Sequence, residues 1–96
     1  MKPKFRMANG PVKAIWHVYI IKCKDETLYT GITTDLTRRI KMHNTGCGCR
    51  FTKYRHPVKL IYSEEQPDKN SALKREAQIK SFPRNKKIAL INEIQV

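Results

Sequence analysis

Apolar and polar residues alternate at two places near the front of the chain, and each alternation predicts a strand. In "WHVYIIK", Trp16–Lys22, the residues are aromatic or β-branched, with Trp16, Val18 and Ile20 on one parity and His17, Tyr19 and Ile21 on the other. "LYTGIT", Leu28–Thr33, repeats the pattern, with Leu28 and Ile32 sharing a face. The polar stretch "KCKDET" between them reads as a turn, so the two form an antiparallel hairpin. Its register follows from parity. Both apolar sets lie on one side only if the loop has an odd number of residues, and Lys24, Asp25 and Glu26 supply such a loop. Ile21 then faces Tyr29, and Tyr19 faces Gly31. The two tyrosines become diagonal neighbours about 7–8 Å apart on the opposite face.

The period changes after Asp35, which is placed to cap a helix. "DLTRRIKMHN" puts Leu36, Ile40 and Met42 or His43 near helical spacing, and Gly46 and Gly48 end it. "TGCGCRFTKYRHP" is a glycine-rich basic loop. Residues 58–63, "VKLIYS", predict a third strand. Asp68 to Ser71 offers a cap for "SALKREAQIKSF", a helix with Ala72, Leu73, Ala77, Ile79 and Phe82 on its apolar side. Pro83 marks a break, and "NKKIALINEI" predicts a last short helix. The order ββαβαα describes an α+β fold, a three-stranded antiparallel sheet flanked by helices. Residues 1–13, with breakers Pro3, Gly10 and Pro11, read as a flexible basic arm, leaving 14–96 as one domain.

Charge narrows the class of partner. The 96 residues carry 20 Lys and Arg against 8 Asp and Glu, a net charge of +12. Such an excess repels itself unless a polyanion relieves it, and nucleic acid is the commonest one. No amphipathic basic helix with a long apolar face is present to lie on a membrane. Residues 36–63 contain no acid but carry Arg38, Arg39, Lys41, Arg50, Lys53, Arg55 and Lys59. That window reads as a phosphate-facing surface rather than a merely solvated one. The chain has no apolar run of the ~18 residues that suggests a membrane span, and its start lacks the apolar segment of a secretory signal. A cytoplasmic monomer is expected. Three cysteines are an odd number and argue against a disulfide framework. Cys47 and Cys49 form a C-x-C near His43, with Cys23 distant. Zinc prefers four ligands with wider spacing, so free thiols are the expectation.

A site that cuts phosphodiesters needs an activated nucleophile, cationic neutralisation of the phosphate and help for the leaving oxygen. Tyrosine hydroxyls can relay protons when a nearby cation lowers their pKa from about 10. A carboxylate can hold a divalent ion, and an arginine can fork onto phosphate oxygens. Tyr19, Tyr29, Arg39, His43 and Glu76 offer these parts, with Arg39 and His43 one helical turn apart. Each has an ordinary alternative. The tyrosines can be packing, Glu76 a helix-surface ion pair among Lys74, Arg75 and Lys80, and His43 a surface histidine. Gly31 inside a strand marks a close approach by another group.

The ordered set "VYII…LYTG…TRRIKMHN…REAQIK" resembles the GIY-YIG nuclease superfamily, in its small stand-alone bacterial branch of uncharacterised single-domain proteins. The resemblance runs from about Trp16 to Leu90. It implies the same small antiparallel sheet flanked by helices, and an endonuclease that nicks one strand of nucleic acid, with DNA the expected partner. By this resemblance Tyr19 matches the tyrosine of the first motif. Tyr29 and Gly31 match the second, Arg39 the helix arginine, and His43 a histidine one turn later. Glu76 matches the glutamate that binds one Mg²⁺ or Mn²⁺. Arg38, Lys41, Arg50, Lys53 and Arg55 then grip the backbone, with Phe51 and Tyr54 available for stacking. The first motif reads His17-Val18-Tyr19, without its glycine. Ile32 and Thr33 stand where repair relatives have a lysine, and the late asparagine has Asn85 as its nearest candidate. Two alternatives remain open: a binding module of the same fold without chemistry, and a subunit whose basic face meets an acidic protein.

Overall fold

The structure, a computed structural model, describes residues 14–94, and the expected N-terminal arm lies outside them. Three strands, β1 (Trp16–Lys22), β2 (Leu28–Thr33) and β3 (Lys59–Gln66), form one antiparallel sheet in the order β2-β1-β3. Three helices join them: α1 (Leu36–Asn44), α2 (Lys69–Lys80) and α3 (Arg84–Ile94). The hairpin has the register that parity predicts, Tyr19 against Gly31 and Ile21 against Tyr29. Its three-residue loop closes with Glu26 N–H donating to the Cys23 carbonyl at 2.9 Å and with Glu26 in the left-handed region, φ 72°. A loop of that length, ending in one left-handed residue, suits the twist of the two strands.

The sheet separates two clusters. On one face Val18 and Ile20 pack with Tyr62, Ala72, Ile79 and Ile91, under α2 and α3. On the other, Tyr19, Ile21, Cys23 and Val58 pack with Tyr29, Leu36, Ile40 and Phe51, under α1 and the loop that follows it. The apolar stripe of α2 is narrower than its sequence predicts. Ala72 and Ile79 are fully buried, but Leu73 and Ala77 are exposed. A helix packed on one face of a small sheet buries only part of its circumference.

Strand β3 begins one residue later than expected and continues through Glu64, Glu65 and Gln66. Residue type argues against that extension, yet pairing with Val18, His17 and Trp16 outweighs it. Glu64 is satisfied there by Arg75, which donates Nε to its two carboxylate oxygens at 3.1 and 2.9 Å, by Gln66 and by the Tyr62 hydroxyl. Those bonds hold the Glu64 carboxyl below the usual carboxylate range even though burial alone would raise it.

Helix caps fix the approaches to the second face. Asp35 accepts from Arg38 N–H at 3.1 Å at the start of α1. At its end, Gly46 adopts φ 81°, Cys47 N–H donates to the Met42 carbonyl and Gly46 N–H to that of His43. This pairing is the Schellman closure that a left-handed glycine permits. Residues 45–58 then return to the sheet through a cis His56–Pro57 peptide. Asn44 clips the two ends of this loop together: its Oδ1 accepts from Val58 N–H at 2.6 Å and its Nδ2 donates to the Val58 carbonyl at 3.3 Å. Arg55 fastens the middle to the hairpin turn, donating to Asp25 at 3.1 Å, while Lys24 N–H donates to the Arg55 carbonyl. Replacing Asn44 with Ala removes both clip bonds. Denaturant unfolding is expected to show a loss of about 1–3 kcal/mol, with the sheet retained by circular dichroism.

Candidate active site

The second face carries a polar chain inside its apolar cluster. Tyr19 is fully buried, and its ring lies over Gly31. A Cβ on Gly31 would stand 2.6 Å from the Tyr19 oxygen and 2.7 Å from Cζ, closer than any real contact. Glycine is required here by that approach and not by a turn.

The Tyr19 oxygen accepts from Arg39 Nε at 3.3 Å and lies 2.9 Å from His43 Nε2, while His43 Nδ1 lies 2.7 Å from Thr52 Oγ1. The buried Tyr19 hydrogen has His43 Nε2 as the acceptor within reach, and the Thr52 hydroxyl has the Cys49 carbonyl at 3.4 Å, which together select one assignment of protons. Arg39 can only donate, so Tyr19 gives its own hydrogen to Nε2, and Nδ1–H donates to Thr52. That assignment requires a neutral imidazole. Burial, helped by the nearby Arg39 guanidinium, pushes the His43 pKa down to about 4. His43 and Thr52 have no exposed surface.

Tyr29 sits beside this chain. Its ring is 6.5 Å from that of Tyr19 and 5.5 Å from that of His43, and its hydroxyl lies near the Cys49 thiol. Unlike Tyr19 it is only partly buried. The expectation that a cation lowers a tyrosine pKa is not met. Burial raises Tyr19, outweighing its bond from Arg39, and burial followed by the Cys49 thiolate raises Tyr29. Both are phenols at neutral pH.

Glu76 reaches the same place from α2. Its charge acts on Tyr19, its side chain is 18% exposed, and Lys80 Nζ lies 3.4 Å from its carboxylate and 5.8 Å above the Tyr29 ring. The tyrosines, Arg39, His43 and Glu76 are therefore gathered at the β2 edge of the sheet, beside Gly31. Next to them an open cleft of about 230 Å³ is lined by Thr33, Thr34, Asp35, Arg38, Arg39 and Met42.

Other expected contacts divide. Arg38, Lys41, Arg50 and Lys53 are exposed. Arg55 is instead engaged inside the fold, bound to Asp25 and the Phe51 carbonyl and stacked on the Phe51 ring at 4.3 Å. Phe51 is not free to stack on a base, because its other neighbour is the Tyr29 ring at 5.4 Å. Tyr54 is 85% exposed, with Lys53 Nζ 5.4 Å from its ring centroid. Thr52, Cys49 and Lys80 belong to the site without any signal of type or spacing in the sequence. The cysteines are free thiols, and His43 has both ring nitrogens engaged, which leaves neither for zinc.

Comparison with known proteins bears on the family and the fold. Residues 15–89 match the family model of the GIY-YIG catalytic domain. A UPF0213 protein of Staphylococcus saprophyticus is 52% identical over 77 residues, covering 80% of this chain and 94% of its own length. A UPF0213 protein of Clostridium perfringens is 54% identical over 76 residues, covering 79% and 82%. The solution structure of a UPF0213 protein from Bacillus halodurans has a TM-score of 0.54 at 41% identity, covering 81% of this chain and 83% of that one. A protein of E. faecalis has a TM-score of 0.59 at 30% identity, covering 84% and 86%.

The buried neutral histidine makes stability depend on acid. An unfolded chain takes up the His43 proton near pH 6.5, and the folded chain resists it until about pH 4. The stability is present above pH 6.5 and is lost as pH falls toward 4, by about 3 kcal/mol at roughly 1.4 kcal/mol per pH unit. Urea unfolding at pH 7 and pH 4 should show this extra loss in the wild type, and the loss should shrink by about that amount in His43→Gln.

Proposed function

The chain belongs to the GIY-YIG catalytic-domain family, and on that premise we propose that it hydrolyses phosphodiester bonds in nucleic acid, nicking one strand of DNA. The observation that carries the reading is the meeting of Tyr19, Tyr29, Arg39 and Glu76, from β1, β2, α1 and α2, beside a strand glycine. A surface that only bound nucleic acid would need none of them in fixed relation.

The donor set bears on the metal. Among the described residues no three His, Cys, Asp or Glu side chains converge to hold an ion. Glu76 offers one carboxylate. A single hard oxygen ligand suits Mg²⁺ or Mn²⁺, since Mg²⁺ keeps most of its waters and takes substrate phosphate oxygens, and it does not suit an ion that needs a closed protein cage. Such an ion, on Glu76, would supply charge neutralisation at the phosphate and the leaving oxygen. Lys80 holds the carboxylate meanwhile.

The protein's own groups then have separate duties. Arg39, oriented through its Nε by Tyr19, offers its remaining guanidinium N–H groups to phosphate oxygens. Tyr19 and His43 are positioning residues, buried beneath the reacting groups. Tyr29, the more accessible phenol, accepts a hydrogen bond from the attacking water while its own O–H is directed at Cys49. Because it is protonated, it can take the water's proton only as it gives up its own. Arg38, Lys41, Arg50 and Lys53 hold the flanking strand.

Supercoiled plasmid with Mg²⁺ or Mn²⁺ should be converted to the nicked circle. Glu76→Ala and Tyr29→Phe should each slow this by at least about 100-fold, the range for losing one catalytic group, while salt-dependent binding persists. Equal nicking by wild type and both variants would leave only the binding module. Lys80→Met, which frees the carboxylate from its ion pair, should lower the Mg²⁺ concentration needed for half-maximal rate. A requirement unchanged or raised would show that Lys80 does not compete with the ion.

A further inference from the structure

We propose that Cys49 is a site of oxidation by hydroperoxides, that Cys47 resolves it to a disulfide, and that this bond takes Cys49 away from Tyr29. The last part, as regulation of cleavage, rests on the hydrolase reading. The thiol chemistry does not.

The chain holds three thiols in three settings. Cys23 is 3% exposed, and burial raises its pKa, which describes an inert core thiol. Cys47 is exposed on the loop after α1. Cys49 is partly buried and lies against the site: its Sγ is 3.5 Å from Thr52 Oγ1 and faces the Tyr29 hydroxyl. Burial alone would raise its pKa as well, but the Thr52 hydroxyl and N–H, the Tyr29 hydroxyl and the Phe51 N–H together hold it below the free-thiol value. A partly exposed thiol whose ionisation is eased in this way is the kind that peroxides attack.

The pair is also placed to close. Residues two apart are joined by two Cα steps of about 3.8 Å, and the chain bends at Gly48 between them. Two such steps span at most about 7.6 Å, and a disulfide needs roughly 4.4–6.8 Å between Cα atoms, so closure asks only for a bend at Gly48. Gly48 is pressed on His43, since a Cβ there would lie 2.2 Å from Nδ1. The Cys49 thiol points into the site, whereas Cys47 is exposed to solvent. Joining them turns Cys49 Sγ outward. Tyr29 then loses the acceptor for its proton, Thr52 loses a neighbour, and the loop that covers His43 shifts.

The steps balance with a hydroperoxide as the oxidant. The Cys49 thiolate attacks one peroxide oxygen; an S–O bond forms, the O–O bond breaks and hydroxide (or alkoxide) leaves. The sulfur is oxidised to a sulfenic acid as the peroxide is reduced. Cys47 sulfur then attacks Cys49 sulfur, the S–S bond forms, the S–O bond breaks, and the departing hydroxide takes the Cys47 proton as water. A thiol reductant reverses the outcome by exchange.

The test uses the full chain and dilute hydrogen peroxide, with digestion and mass spectrometry of the peptide 42–50. The expected product is two hydrogens lighter, is restored by dithiothreitol, and forms at least about tenfold faster than any change at Cys23, as thiolate character and access dictate. In Cys47→Ser, dimedone should trap a sulfenic acid at Cys49. Oxidation of Cys23 first, or oxidation of Met42 while both loop thiols stay reduced, overturns the proposal. The effect on the site is read from the His43 imidazole resonances, which should shift on oxidation and return on reduction. Unshifted resonances would refute the coupling. Plasmid nicking is measured alongside, in both redox states. Reduced protein that nicks nothing would refute the hydrolase reading while the peptide masses still decide the thiol chemistry, and nicking that survives full disulfide formation would refute the regulation alone.

Discussion

The approach of the Tyr19 ring to Gly31 sets the geometry of the whole second face. With any side chain at Gly31 the ring could not lie there, and its oxygen would leave the place where Arg39 and His43 both reach it. That oxygen accepts from one helix residue and donates to another a turn away, so a single atom fixes the rotation of α1 against the sheet. Thr52 closes the same chain from the loop, so the imidazole joins Asn44 and Arg55 in anchoring that loop. A buried polar chain is stable only when each member is paired, and here each is.

This network keeps charge out of the interior of a protein that carries a great deal of it. Among the described residues, Arg38, Lys41, Arg50 and Lys53 are exposed at its rim. Beneath it Tyr19, Tyr29 and His43 are neutral near pH 7: desolvation outweighs the pull of Arg39 on the two phenols, and on the imidazole desolvation and Arg39 act together. Arg39 is the exception that links the two layers. Its Nε is bound to the neutral chain, and it also lines the open cleft. A phosphate approaching that cleft would meet a guanidinium already oriented, at little cost in ordering.

What the sequence revealed and what it hid divide along local periodicity. Strand parity together with the three-residue loop placed Tyr19 against Gly31, because a period of two leaves two ways to match the faces and one of them mixes polar with apolar. Asp35, Asp68 and Gly46 marked helix ends through backbone chemistry that acts within a few residues. Nothing periodic marks residues 45–58. The contacts of Cys49 with Tyr29, of Phe51 with Tyr29 and of Asn44 with Val58 depend on where a loop lands in space. Phe51 shows the difference: an aromatic in a basic loop suggests a base-stacking platform, yet it is packing for Tyr29. The direction of the tyrosine pKa shifts was hidden for a related reason, since it depends on burial depth and not on the count of nearby cations.

Size makes the site and the second core the same object. A domain this small has few interior positions, and on this face Tyr19 and Tyr29 pack with Ile21, Leu36, Ile40 and Phe51 in one cluster. Of the buried polar side chains His43, Thr52 and Thr30, the first two are committed to the site. A change to the polar chain therefore removes packing as well as hydrogen bonds. Stability and arrangement are coupled through one set of atoms. The opposite face, built on Val18, Ile20, Ala72 and Ile79, carries none of that double duty. It holds α2 in place, and with it Glu76 and Lys80, so that the carboxylate meets the tyrosines around the edge of β2.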